Sequence, residues 1–240
     1  MTRYLTADPG ILAIGYPDAT VLIHPGREKV WTLHGPAHDL WNQGGPHLQD
    51  PGTADVDGLV KAGILHRTER PALWTPPLPG FDNGPAQSTH TVEVALPPPA
   101  GPLAGRVAAW IVLAAVAAIA GRGRRPFARH LRMVSAANTA ARLLRSTPAS
   151  SAEAARIVAQ VRQVAATVPA RTACLEITTA AVLLLAARRR TAVWCHGARP
   201  GPLTVHTWLE DANGEPVAEL LGDTHTATLR IPASHPERHT

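Results

Sequence analysis

No regular helix can cross residues 71–103. Pro71, Pro76, Pro77, Pro79 and Pro85, then Pro97, Pro98 and Pro99, each remove a backbone donor and fix φ. Such a segment tends to extended, semi-rigid backbone. A chain of 240 residues interrupted in this way is expected to fold as two bodies, 1–70 and 104–240, joined by a linker at 71–103. Within the linker only 89–96 alternates like a strand, with Thr91 and Glu93 against Val92 and Val94.

The first body opens with apolar runs at 11–16, 20–24 and 29–33, separated by turn residues Asp18-Ala19 and Pro25-Gly26. Helices are expected at 35–42 and 53–65. Thr53 suits the N-cap of the second, with Asp55 and Asp57 in its first turn. The second body changes period along its length. Helices are expected at 104–120, 126–146, 151–167 and 172–190, and strands at 192–196, 203–210, 215–221 and 226–231. Helices followed by an antiparallel sheet define an α+β fold.

Composition narrows the partners. Lys+Arg total 23 against 18 for Asp+Glu, and the arginines cluster at 122–132 and 188–190. This permits an acidic or anionic partner without selecting one. Aromatic residues make up 4%, too few for a surface that stacks single-stranded nucleic acid. No apolar stretch follows the start, so no secretory signal is expected. Two cysteines without a signal point to a reducing, cytoplasmic setting and against a structural disulfide. The apolar run 107–120 is shorter than the roughly 20 residues that span a bilayer. It reads as a buried core helix. The alternative is a membrane-apposed helix with the arginines of 122–132 at the headgroups.

Cys174 carries the candidate chemistry. It lies in the first turn of the helix that continues through the apolar stretch 177–187. Unpaired N–H groups and the helix dipole there favour a thiolate, the nucleophilic form of cysteine. Downstream, His206 lies on the expected strand 203–210 and Glu219 on the next. If Asp211-Ala212-Asn213-Gly214 is a four-residue loop, Glu210 faces Glu215 and His206 faces Glu219. A two-residue Asn-Gly turn would place Glu219 opposite Trp208, on the same face as His206. Glu210 shares that face and competes for the role. A thiol, a base and an orienting acid form a nucleophilic site. Cys195-His196 cannot pair with each other, because adjacent strand residues point to opposite faces. The spacing of the two cysteines and these histidines matches no zinc motif, so no metal is expected. There is no Gly-x-x-x-x-Gly-Lys-Ser/Thr loop and no Gly-x-Gly-x-x-Gly after a strand, so no nucleotide cofactor is expected either.

Ala173-Cys174-Leu175-Glu176, ahead of an apolar helix ending in Arg188-Arg189-Arg190, resembles the cysteine helix of the lasso peptide leader peptidases, bacterial "B" proteins with a transglutaminase-like core. Val205-His206-Thr207-Trp208-Leu209-Glu210 resembles their His-Ala-Trp-Val-Glu strand, with Thr207 in place of the usual alanine. Glu219 stands where an aspartate is usual, with one extra residue in the preceding turn. The resemblance covers roughly 105–221. It implies a Cys174-His206-Glu219 triad and a companion macrolactam cyclase, to which any ATP requirement is assigned. The first body resembles the winged-helix, PqqD-like recognition element of such pathways. There a leader peptide adds as a strand beside 29–33 and packs on 53–65. The implied contacts are Val30, Trp31, Leu33, Val60 and Ile64.

The expected activity is therefore cleavage of a lasso precursor's leader before cyclisation. One rival is an acyltransferase or transglutaminase on the same core. Another is a non-catalytic winged-helix protein that binds peptide or DNA. Against DNA, the 53–65 helix holds only Lys61 against two aspartates.

Overall fold

A computed structural model describes residues 4–42, 48–74, 77–80, 103–120, 126–167, 173–199, 203–218 and 225–231. The architecture is mixed α+β, in two compact units: Met1–Ala86 with Ala198–Thr204, and Gln87–Gly197 with Val205–Thr240.

In the first unit, strands β1 (Tyr4–Ala7), β2 (Leu12–Gly15), β3 (Thr20–His24) and β4 (Lys29–Leu33) precede helix α1 (Gly35–Asn42). Then come β5 (Leu48–Gln49), α2 (Ala54–Lys61), β6 (Leu65–Thr68) and β7 (Leu78–Pro79). They form two sheets, ordered β5-β1-β6 and β4-β3-β2-β7. Thr53 caps α2, accepting from Val56 N–H. The helix stops four residues before the expected end. Gly63, at φ 70°, closes it with bonds from Gly63 N to Val60 O and from Ile64 N to Leu59 O. That paired pattern is a Schellman motif, which needs a left-handed residue that glycine supplies freely. Leu65 then belongs to a strand. The proline-rich segment also begins differently from the expected linker. Trp74 packs edge-on against Trp41 at 4.9 Å and donates to Trp41 O, and β7 pairs with β2. The strand expected at 89–96 lies outside the described residues.

The second unit is built around one apolar helix. Helices α3 (Leu103–Ala120), α4 (Pro126–Leu143) and α5 (Ser151–Ala165) all pack on α6 (Cys174–Ala187). From Thr178 to Leu185 only Leu183 of α6 escapes full burial, as expected for a helix without a polar face. A short parallel pair joins β8 (Thr147–Pro148) to β9 (Arg190–Thr191). Among the described residues the antiparallel sheet has the order β11-β10-β12, with β10 (Val193–Arg199) between β11 (Thr204–Glu210) and β12 (Thr226–Ile231). Trp194 and Leu209 join the helical core, whereas Cys195, Trp208 and Ala227 form a separate cluster.

Two expectations change here. The α3 helix lies within one residue of the expected 104–120, but it has 18 residues with a mean hydropathy of 2.1, long and apolar enough to cross a membrane, where the 107–120 run alone is too short. Nor is it a buried core helix. Gly105, Ala109, Leu113, Val116 and Ala120 form one buried stripe, and the other side of the helix is largely exposed. The β11 hairpin also turns in neither expected register. Glu210 bridges Pro216 across a five-residue loop, and Val217 N–H donates to Leu209 O. The Asp211 carboxylate widens the loop by accepting from Asn213 N–H and Glu215 N–H, at 2.8 and 3.1 Å. A bond from Ser151 at the start of α5 ties it down further. Ala218 then takes φ 55°, a left-handed conformation that breaks strand geometry.

Candidate active site

Cys174 is the first residue of α6, where backbone N–H groups have no helical partner. Extended backbone at Ala173 makes the sharp entry. The Glu176 carboxylate reaches back to accept from Ala173 N–H at 3.0 Å, one half of a capping box. Ala173 has no side-chain acceptor for the other half. The thiol is half-buried at the start of the helix on which α3, α4 and α5 all pack.

β11 delivers the partners. The thiol hydrogen-bonds to the His206 side chain and to the side chain and backbone of Thr207. Burial pushes the thiol pKa up. The bonds from His206 and Thr207, together with the charge of His206, outweigh burial and leave the pKa below its ordinary value. This is the electrostatic signature of a reactive cysteine.

Behind the thiol lies a polar chain through the helix–sheet interface. Trp194 Nε1–H donates to Thr178 Oγ1 at 3.1 Å. Thr178 Oγ1 lies 2.9 Å from Cys174 O, one turn back, and 3.1 Å from Thr207 Oγ1. Thr178, Thr207 and Trp194 are all buried, so these bonds are shielded from water. Sequence reasoning passed over Thr178 and Trp194. The available signal was Thr178 four residues after Cys174, on the same helix face.

His206 is stacked near Trp208, with centroids 6.1 Å apart and planes at 12°, and lies 5.3 Å from the His225 ring. His196 also borders the site. It packs edge-on to Phe127 at 4.7 Å, and burial followed by the nearby His206 lowers its pKa to about 4. It is therefore neutral at ordinary pH.

Cys195 is a contrasting thiol. It is fully buried on the opposite face of β10, beside Glu210 and Arg230. Burial, then the Glu210 charge, pushes its pKa far up. Glu210 is fully engaged: Arg230 holds it by two bonds at 3.0 and 3.2 Å, and Trp208 Nε1–H donates to it at 3.2 Å. Four residues along a strand is about 13 Å. Glu210 thus belongs to the Cys195 cluster rather than to His206. Glu219 lies outside the described residues.

Of the residues expected to touch a leader peptide, Leu33 and Ile64 are core side chains at 7% and 2% exposure. They pack with Leu22, Trp41, Val56 and Leu59. Val30, Trp31 and Val60 are half-buried, with Val30 and Trp31 on opposite faces of their sheet. Among the described residues β4 is an edge strand, paired only with β3. Among the described residues no group of three or more His, Cys, Asp or Glu side chains is placed to hold a metal ion.

The family model described as "Transglutaminase-like superfamily" matches residues 109–229, half of the chain. The chain belongs to the transglutaminase-like superfamily. The match includes both Cys174 and His206. No curated protein and no solved structure matches the chain. A transglutaminase-like core has the cysteine-protease or acyltransferase type of activity, which a thiol held by an imidazole at a helix N-terminus suits.

Proposed function

We propose that this transglutaminase-like protein is a cysteine peptidase that binds and removes the leader of a lasso peptide precursor before a companion cyclase closes the macrolactam. The observation that carries the reading is the half-buried Cys174 thiol at the start of α6, hydrogen-bonded to His206. The thiolate attacks the scissile carbonyl carbon at the leader–core junction. His206, having taken the thiol proton, returns it to the departing amine. Water then attacks the thioester, with His206 again accepting a proton, and frees the carboxylate and the thiol. Glu219 orients the imidazole in this scheme.

The first unit binds the leader by strand addition at the open edge of β4, with Val30, Trp31 and Val60 in contact and Leu33 and Ile64 supporting them from the core. Acyl transfer to an amine is the second reading, because the same thioester serves both and only the acceptor differs.

The test is mass spectrometry of the precursor after incubation with wild type, Cys174→Ala and Cys195→Ala, with and without the cyclase. Free leader is expected from wild type and Cys195→Ala but not from Cys174→Ala. A product carrying an added amine selects acyl transfer. Leader binding without cleavage by any form refutes the peptidase.

A further inference from the structure

We propose that the outward face of α3 docks on an anionic lipid surface, lying in the interface rather than crossing it. Three observations carry this.

The first is exposure. The buried stripe of α3 leaves Leu103, Val107, Trp110 and Ile111 on the opposite side, where Trp110 and Ile111 are 54% and 58% exposed. A surface helix of a water-soluble body normally turns polar residues outward. Here the outward face continues through Ala114 and Ala118, and Arg106 is the only charged residue in the helix.

The second is charge. From residue 94 to residue 152 the sequence has no Asp or Glu, and its only charged residues are arginines. Arg106 is exposed near the start of α3, and Arg132 is exposed on α4. Arg122, Arg124 and Arg125 follow the end of α3 in sequence. Arg129 donates to Ile119 O at 3.0 Å, closing the C-terminal end of α3. An apolar strip whose own segment and the segments flanking it in sequence carry cations and no acid fits phospholipid headgroups over acyl chains.

The third is shape. Arg106, Val107 and Trp110 line a shallow cleft with Gln163 and Val164 of α5. A guanidinium at the rim of an apolar cleft, beside an indole, is the pairing found at membrane–water boundaries.

The same charges disfavour a second copy of the chain as the occupant. A two-fold interface on this face would set arginines against arginines without an acid to neutralise them.

The full chain is mixed with vesicles of phosphatidylcholine alone and of phosphatidylcholine with one-third phosphatidylglycerol, and bound protein is read by flotation. Of the six tryptophans only Trp110 is largely exposed, so brominated acyl chains report its insertion. Flotation with the anionic vesicles, weakened by salt and accompanied by quenching that Trp110→Phe preserves in binding but loses in signal, is expected. The double substitution Trp110→Ser with Ile111→Ser is expected to weaken binding by about tenfold or more. Alkylation of Cys174 at an unchanged rate serves as the control for folding. No flotation with anionic vesicles overturns the proposal. So does flotation indifferent to the double substitution, which would leave the arginines acting alone. A solution oligomer that the double substitution dissolves would assign the face to protein contact instead.

Discussion

At the scale of single residues, the two cysteines differ by environment alone. Cys174 has a helix N-terminus, an imidazole and a hydroxyl beside it, whereas Cys195 has burial and a carboxylate. Alkylation rate follows the thiolate fraction. Iodoacetamide is therefore expected to label Cys174 at neutral pH and to leave Cys195 untouched in the folded protein. The inflection for Cys174 should lie below that of an ordinary cysteine. Thr207 should contribute to that shift through its bond to the thiol. Thr207→Ala is expected to move the inflection upward, because its hydroxyl no longer favours the thiolate. Peptide mapping of the labelled cysteines across a pH series checks both claims. An unmoved inflection in Thr207→Ala would reduce that threonine to a packing residue. Cys174 and His206 were legible in the sequence because a lone thiol opening an apolar helix and a histidine on a later strand are local patterns. The Trp194–Thr178–Thr207 chain was not, because it exists only where α6 crosses β10 and β11.

At the scale of elements, long periodic segments could be read and their ends could not. The expected helix at 151–167 is α5, Ser151–Ala165, with the Ser150 side chain accepting from Glu153 N–H. The run expected at 172–190 ends as helix at Ala187, because Arg189 takes φ 55° and Arg190 enters β9. Helix α2 ends at Lys61, and the Gly63 that closes it is a stop signal carried by the sequence itself. The hairpin register was missed for a physical reason: side-chain bonds from Asp211 to the loop backbone outcompeted the shorter turns that strand counting assumes. The sheet that carries His206 depends on another glycine. A Cβ at Gly197 on β10 would lie 2.7 Å from Trp208 Cη2 and would also run into the backbone of Thr226 on β12. Backbone cannot swing aside as a side-chain tip can. Gly197→Ala is therefore expected to cost about 2–3 kcal/mol of stability. Urea titration followed by tryptophan fluorescence, which reports Trp208 and Trp194, measures it. A loss below about 0.5 kcal/mol would mean that β12 moves freely against β10.

At the scale of the whole molecule, the α+β class and the order of helices before sheet followed from the change of hydrophobic period near residue 190. The exposure of α3 did not follow, because an all-apolar helix reads the same whether protein or lipid covers its far side. The proposed division of labour assigns recognition to one unit and chemistry to the other, and that division has a kinetic consequence. A leader held at β4 raises the local concentration of the scissile bond without altering the bond-breaking step. Losing a leader contact then removes binding that is equal in the ground state and the transition state, which raises KM and leaves kcat in place. Trp31 is the best position to probe. It sits half-buried on an edge strand, with the Lys29 ammonium 6.0 Å from its ring. Trp31→Ala is expected to raise KM for the full precursor by about tenfold, the usual scale for an aromatic anchor, with kcat changed less than twofold. Cys174→Ala should do the reverse, abolishing turnover while the leader binds with unchanged affinity. Steady-state cleavage kinetics alongside a fluorescence binding titration of the leader separate the two effects. A precursor truncated to a few residues before the cleavage site should be cleaved at the same low kcat/KM by wild type and Trp31→Ala. If Trp31→Ala instead lowered kcat with KM intact, the first unit would be shaping the catalytic step, and tethering would not explain its fusion to the peptidase.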